Sequence, residues 1–189
     1  MNFEENDMIQ KCIRGDRLAQ KALYEKFSRK MYYICLRYTT FEEEAEDILQ
    51  DGFVKVFKSL QSFEGKGSFE GWIRRIIVNT AIEYYRKKSN HFSLSELEDS
   101  EFTGFEEHTI ESFSEQEILK LIQELPLGYR TVFNLYAIEG YSHKEIGEML
   151  QISDGTSKSQ LARARAILQE KVKELYKNLN NNLEGDATI

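Results

Sequence analysis

The sequence predicts an all-α fold: two small helical domains joined by a flexible acidic linker, the C-terminal one a helix-turn-helix. Three observations carry this. A single proline in 189 residues, beside 41% hydrophobic and 30% charged residues, leaves long stretches without a helix breaker. Apolar residues recur every three or four positions, the period of a helix buried on one face. Residues 89–117 hold Glu96, Glu98, Asp99, Glu101, Glu106, Glu107, Glu111, Glu115 and Glu117 without a lysine or arginine. Their stretch SLSELEDSEFTGFEEHT lacks helical period and is rich in turn residues, the composition of a linker. Domains over 1–88 and 118–178 follow, with a polar tail at 179–189. The formal charge of -7 hides this layout, because without those carboxylates the rest of the chain carries about +2.

In the first domain, residues 16–37 place Leu18, Ala22, Leu23, Phe27, Met31, Ile34 and Cys35 on an inward stripe. A second helix over 42–60 turns Ala45, Ile48, Leu49, Phe53, Val56, Phe57 and Leu60 inward. Its start is crowded by Glu42, Glu43, Glu44, Glu46, Asp47 and Asp51. The helix dipole favours anions there, which explains part of the run. Six carboxylates around Gln50 exceed that need and equally suit a basic partner surface.

The loop SFEGKGSFEG, residues 62–71, carries three glycines and two aromatics read as exposed, Phe63 and Phe69. No strand precedes it and the P-loop spacing is absent, which argues against a nucleotide site. The next helix, WIRRIIVNTAIEYYRKK, has Trp72, Ile73, Ile76, Ile77, Thr80, Ala81 and Tyr84 inward. Outward it shows Arg74, Arg75, Asn79, Arg86, Lys87 and Lys88 against Glu83 alone. Cations beside rings suit single-stranded or melted nucleic acid. Core aromatics beside a solvated basic helix explain Trp72 and Tyr84 equally, but the loop less well.

Residues 141–171, YSHKEIGEMLQISDGTSKSQLARARAILQEK, predict two short-linked helices. Ser142 and Glu145 form a capping box, Ile146 and Leu150 an apolar stripe, and Ser153 a second cap before a helix starting near Asp154. Leu161, Ala164, Leu168, Val172 and Leu175 give that helix its buried face, and Thr156, Ser159, Gln160 and Arg163 its opposite face. From Thr156 to Lys173 the cations Lys158, Arg163, Arg165, Lys171 and Lys173 meet one anion, Glu170. A helix-turn-helix presents such residues to a DNA major groove. An amphipathic hairpin with a solvated face is the plainer reading.

No apolar run approaches the roughly 20 residues of a membrane span, and MNFEENDMIQ is acidic where a signal peptide is basic. A cytoplasmic protein without membrane insertion is expected. Cys12, Cys35, His91, His108 and His143 fit no zinc spacing, so reduced buried thiols and no metal or cofactor are expected. Glu43, Glu44, Glu46 and Asp47 lack the Glu-x-x-His pairs of a helical di-metal site, which leaves no enzyme reading.

The run EEEAEDILQDGFVKVFKSLQSFEGKGSFEGWIRRIIVNTAIEYYRKK, the acidic linker, and LIQELPLGYRTVFNLYAIEGYSHKEIGEMLQISDGTSKSQLARARAIL closely resemble bacterial RNA polymerase sigma factors of the extracytoplasmic-function (ECF) type of the sigma-70 family. The resemblance spans both domains, all but about a dozen residues at each end. It implies a sigma factor that binds core RNA polymerase and directs promoter-specific transcription initiation, with an anti-sigma factor as a further partner. Asp47, Gln50, Asp51 and Phe53 would dock on the clamp helices of the largest subunit. The loop from Phe63 to Phe69 would capture a base flipped from the minus-ten element. Lys66, Ser68, Trp72, Arg74, Arg75, Asn79, Arg86 and Lys87 would hold DNA nearby. Thr156, Ser157, Lys158, Ser159, Gln160, Arg163 and Arg165 would read the minus-thirty-five duplex of promoter DNA. The competing reading is a helix-turn-helix regulator that never joins the polymerase, but a duplex reader has no use for a single-strand pocket. The chain departs from the family pattern at Ser157, where a Gly-Thr-Val start is usual, and at Gly147, commonly Ala. Both are expected to weaken packing by about 1 kcal/mol. Gln160 stands where Arg is frequent, with an expected effect on base preference.

Overall fold

The computed structural model describes residues 3–89 and 113–185, and every regular element among them is helical. The chain divides into two compact units. Most of the stretch read as a linker lies outside the described residues.

The first unit holds α1 (Phe3–Ile13), α2 (Arg17–Leu36), α3 (Glu42–Ser59), a 3-10 turn (Leu60–Ser62) and α4 (Phe69–Ser89). The Asp16 carboxylate starts α2 by accepting the amides of Leu18 and Ala19 at 2.9 and 3.1 Å. From there the buried positions step through Ala19, Leu23, Phe27 and Met31. This corrects the predicted stripe, because Leu18 is 79% exposed and Ala22 is exposed as well. Four-residue steps back from Phe27 reach Ala19, which leaves Leu18 pointing outward. The sequence does not single out α1, which buries Ile9 and Cys12 and packs on α2 and the 3-10 turn.

Helix α3 buries Ala45, Ile48, Leu49, Phe53 and Val56 as its period predicts, with Phe57 half-buried. Gly52 lets α4 approach, since a Cβ there would collide with Ile77 Cδ1. On α4 the buried face includes Val78, Ile82 and Tyr85, while Trp72, Ile76 and Tyr84 are half-buried. The inner face is therefore wider than predicted, because both α2 and α3 pack on it. Ion pairs Lys30–Glu70 (2.9 Å), Lys55–Glu83 (2.7 Å) and Lys88–Glu44 (2.6 Å) tie its length to those neighbours. Both cysteines are buried and free, and burial pushes the Cys35 thiol up to about 12.

The second unit holds α5 (Glu115–Gln123), α6 (Leu127–Phe133), a π-helical turn (Asn134–Ile138), α7 (His143–Leu150) and α8 (Asp154–Gly185). Ser114 and Glu117 cap α5 reciprocally, so this helix begins inside the stretch predicted as linker. Two of the nine carboxylates thus serve a helix start, where the dipole favours them. Ser142 and Glu145 cap α7 as predicted. It ends at Gln151, whose left-handed φ of 58° folds the chain back so that the Ile152 amide donates to Gly147 O at 3.1 Å. Ser153 accepts the Thr156 amide at 2.9 Å and starts α8, which continues into the predicted polar tail. Leu121, Ile122, Leu125, Val132, Leu135, Ile146, Leu150, Leu161 and Ala164 form the core. No helix among the described residues is long and apolar enough to cross a membrane, and no carboxylate, histidine or cysteine cluster there has the makings of a metal site.

Candidate nucleic-acid interface

On α3, Asp47, Gln50 and Asp51 are exposed. Phe53 is not: it is 2% exposed and meets Tyr24 edge-on at 4.7 Å between ring centroids. It shares the inward stripe with Leu49 and Val56, so it supports this surface from within rather than lining it. Gln50 borders a cleft of about 320 Å³ with Glu46, Tyr24, Arg29 and Tyr32 of α2 and α3. Asp47 and Asp51 border a smaller cleft against α4, beside Lys55 and Lys87.

The glycine-rich loop rests on an aromatic ledge. Phe63 lies 5.0 Å from Phe69 and 5.4 Å from Trp72, and Phe69 stacks on Trp72 at 5.7 Å. Phe69 is only 1% exposed and meets Phe27 edge-on, correcting its sequence reading as an exposed ring. It opens α4, whose first inward position it occupies. Half-buried Phe63 and Trp72 are the rings left facing outward. Ser68, predicted to touch DNA, accepts the Gly71 amide at 3.0 Å and so caps α4. Gly65 and Gly67 take φ of 72° and 82°, which turns the loop and leaves Lys66 between them 86% accessible beside Glu64. Along α4, Arg75, Asn79 and Lys87 are exposed and Arg74 and Arg86 half-buried, with Lys87 at the far end of the helix from the ledge, beside the cleft that Asp47 and Asp51 border. The arrangement offers ring faces for an unstacked base and cations for the flanking phosphates.

At the start of α8, Lys158 and Ser159 are exposed, Thr156, Arg163 and Arg165 half-buried, and Ser157 and Gln160 buried at 0% and 7%. The last two correct the predicted face. Ser157, Gln160, Leu161 and Ala164 together form the side of α8 packed on α6 and α7, and the outward stripe runs through Lys158, Ala162 and Arg165. One of the two polar groups on the packed side is matched locally. Ser157 Oγ and His143 Nδ1 share a 2.9 Å hydrogen bond, so the hydroxyl costs less than a missing methyl pair suggests. Gln160 is buried against Gly128. Gly147 is likewise no packing defect, since a Cβ there would stand 2.9 Å from Ile152 O. Arg163 donates to Tyr129 OH at 3.2 Å, and Arg165 lies 5.7 Å from the centre of the Tyr136 ring. Tyr136 in turn stacks on His143 at 4.5 Å. Sequence reasoning missed Tyr129, Tyr136 and His143, whose only local signal is a position just outside the helix-turn-helix or just after its cap.

Residues 23–91 match Sigma-70 region 2 and residues 115–168 match Sigma-70, region 4. The chain is 32% identical over 183 residues to the ECF RNA polymerase sigma factor SigW of Bacillus subtilis, covering 88% of this chain and 96% of the relative. It is 28% identical over 188 residues to the RNA polymerase sigma-H factor of Pseudomonas aeruginosa, covering 92% and 96%. A solved structure with the same fold is the sigma factor RpoE of Bartonella quintana in complex with the anti-sigma factor NepR, at a TM-score of 0.50 and 24% identity over 81% of this chain and 96% of that one. Sigma-70 regions 2 and 4 thus fall in that order on the two compact units, and the chain belongs to the ECF RNA polymerase sigma factors.

Proposed function

We propose that this sigma factor binds core RNA polymerase through its first unit and selects promoters with two separate DNA contacts, without bond chemistry of its own. The proposed division is polymerase binding and minus-ten recognition in residues 1–88, an acidic connector over 89–117, and minus-thirty-five recognition in 118–178. Asp47, Gln50 and Asp51 are the proposed docking residues on the clamp helices, with Phe53 holding their helix in place. Extruding a base costs a few kcal/mol, which stacking on Phe63 and Trp72 offsets. Lys66, Arg74, Arg75, Asn79, Arg86 and Lys87 then hold neighbouring phosphates and set register, which carries no sequence information itself. Thr156, Lys158, Ser159 and Arg165, exposed or half-buried on α8, meet the upstream duplex. Phe69, Ser68, Ser157, Gln160 and Arg163 act by shaping those surfaces. An anti-sigma factor is a proposed partner and the cytoplasm the proposed location.

The observation that carries this reading is the ledge of Phe63, Phe69 and Trp72 under a loop turned by Gly65 and Gly67. Run-off transcription with purified polymerase on a promoter library tests it. Initiation at a common sequence only when the chain is added is expected; no change in start sites overturns it.

A further inference from the structure

The second unit carries a side-chain stack that the promoter contacts proposed above leave without a role. His143, the first residue of α7, bonds through Nδ1 to buried Ser157 at 2.9 Å and lies nearly parallel to Tyr136, at 20° and 4.5 Å between ring centroids. Tyr136 enters this stack from the π-helical turn Asn134–Ile138, whose wider winding is closed by the Glu139 amide donating to Asn134 O at 2.9 Å. The Arg165 guanidinium stands 5.7 Å from the same ring, and no carboxylate among the described residues pairs with it. Arg165 also shares the outward stripe of α8 with Lys158 and Ala162, at spacings of four and seven. Seven residues span about 10.5 Å along a helix, so the two cations reach different phosphates, and Ala162 between them has no side chain to hold the backbone away. A long arginine on an open helix face samples many rotamers, whereas one held on a ring loses little entropy when it meets a phosphate.

We propose that Tyr136, braced by His143, is a positioning residue that presents Arg165 to a promoter phosphate about three turns beyond the start of the recognition helix. The stack thereby makes the joint between α6 and α7 part of the DNA-reading apparatus. This rests on the reading of α8 as the promoter-reading helix, and the two are separable by experiment.

Polymerase reconstituted with the full chain is titrated with the duplex promoter recovered from the library across a range of salt concentrations. Loss of one phosphate contact lowers the slope of log affinity on log salt by about one. Arg165→Ala is expected to show that fall, Tyr136→Leu to show the same fall, and the double variant no more than either. Tyr136→Phe, which keeps the ring, is expected to retain the slope of the unaltered protein. His143→Leu removes the brace together with the Ser157 hydrogen bond, and is expected to give a smaller fall that disappears in the Arg165→Ala background. An unchanged slope for Arg165→Ala overturns both the placement of Arg165 at DNA and the role of Tyr136. A fall for Arg165→Ala without one for Tyr136→Leu overturns the positioning role alone, as does a His143→Leu effect that persists in the Arg165→Ala background.

Discussion

Lys88 Nζ donates to Glu44 Oε1 at 2.6 Å, joining the start of α3 to the end of α4. The pair withdraws one member each from the acidic and the basic surface that the sequence suggests. Burial disfavours the charged Glu44 carboxyl, but hydrogen bonds from Lys88 and Tyr84, the Lys88 charge and the Thr40 amide outweigh it and hold its pKa below the ordinary glutamate value.

Because the folded carboxyl releases its proton more readily than the unfolded one, this contact stabilises fully above the ordinary glutamate range. Its contribution is lost as pH falls through the lowered folded value. Glu44→Gln is expected to destabilise the protein by about 1 kcal/mol at neutral pH, the hydrogen bond being partly exposed. Thermal unfolding followed from neutral to acid pH checks this; a difference that stays constant into acid contradicts it.

Gly147→Ala is expected to destabilise the helix-turn-helix. Alanine gains about 1 kcal/mol in a helix interior, but its Cβ meets the Ile152 carbonyl at 2.9 Å, and overpacking against backbone costs about 1–3 kcal/mol. A net loss of about 1 kcal/mol in chemical denaturation follows. A gain would mean the turn after α7 shifts freely.

Gln160 Oε1 is buried without a hydrogen-bond partner. An unmatched buried carbonyl costs about 1–3 kcal/mol, so Gln160→Met, of similar volume, is expected to raise stability by about 1 kcal/mol while leaving upstream base preference unchanged. Altered preference in a promoter selection would place the amide at the DNA after all.

Phe63→Ala is expected to cost about 1–3 kcal/mol of strand separation, the worth of one base stacked on a ring. Permanganate reactivity of unpaired thymines in the initiation complex reads this directly, and polymerase affinity should be unaffected. Equal losses in both would make Phe63 a packing residue of the ledge.

Asp51→Ala is expected to weaken polymerase binding in a titration with purified core enzyme. Asp51 is exposed, so the unfolding midpoint should barely move. Unchanged affinity would locate the docking surface elsewhere.

The chain's order of residues determined the helical class, the stripe of α3, the capping box at Ser142 and Glu145, and the two-part layout, because periodicity and caps are local and repeat within a turn or two. The family likeness was legible for the same reason, in long ordered motifs. Tertiary structure decided which member of an ambiguous stripe faces inward. Leu18 and Ala19 differ by one position, and Asp16 together with the fit of α2 on its neighbours, not hydrophobicity, buries the smaller one. It also decided that Ser157 and Gln160 lie inside while Ala162 lies outside, since helices α6 and α7, distant or separately phased in sequence, choose the side of α8 they cover. Polar residues within an amphipathic helix carry no sign of their own facing; a partner such as His143 supplies it only once the chain has folded back through the left-handed turn at Gln151.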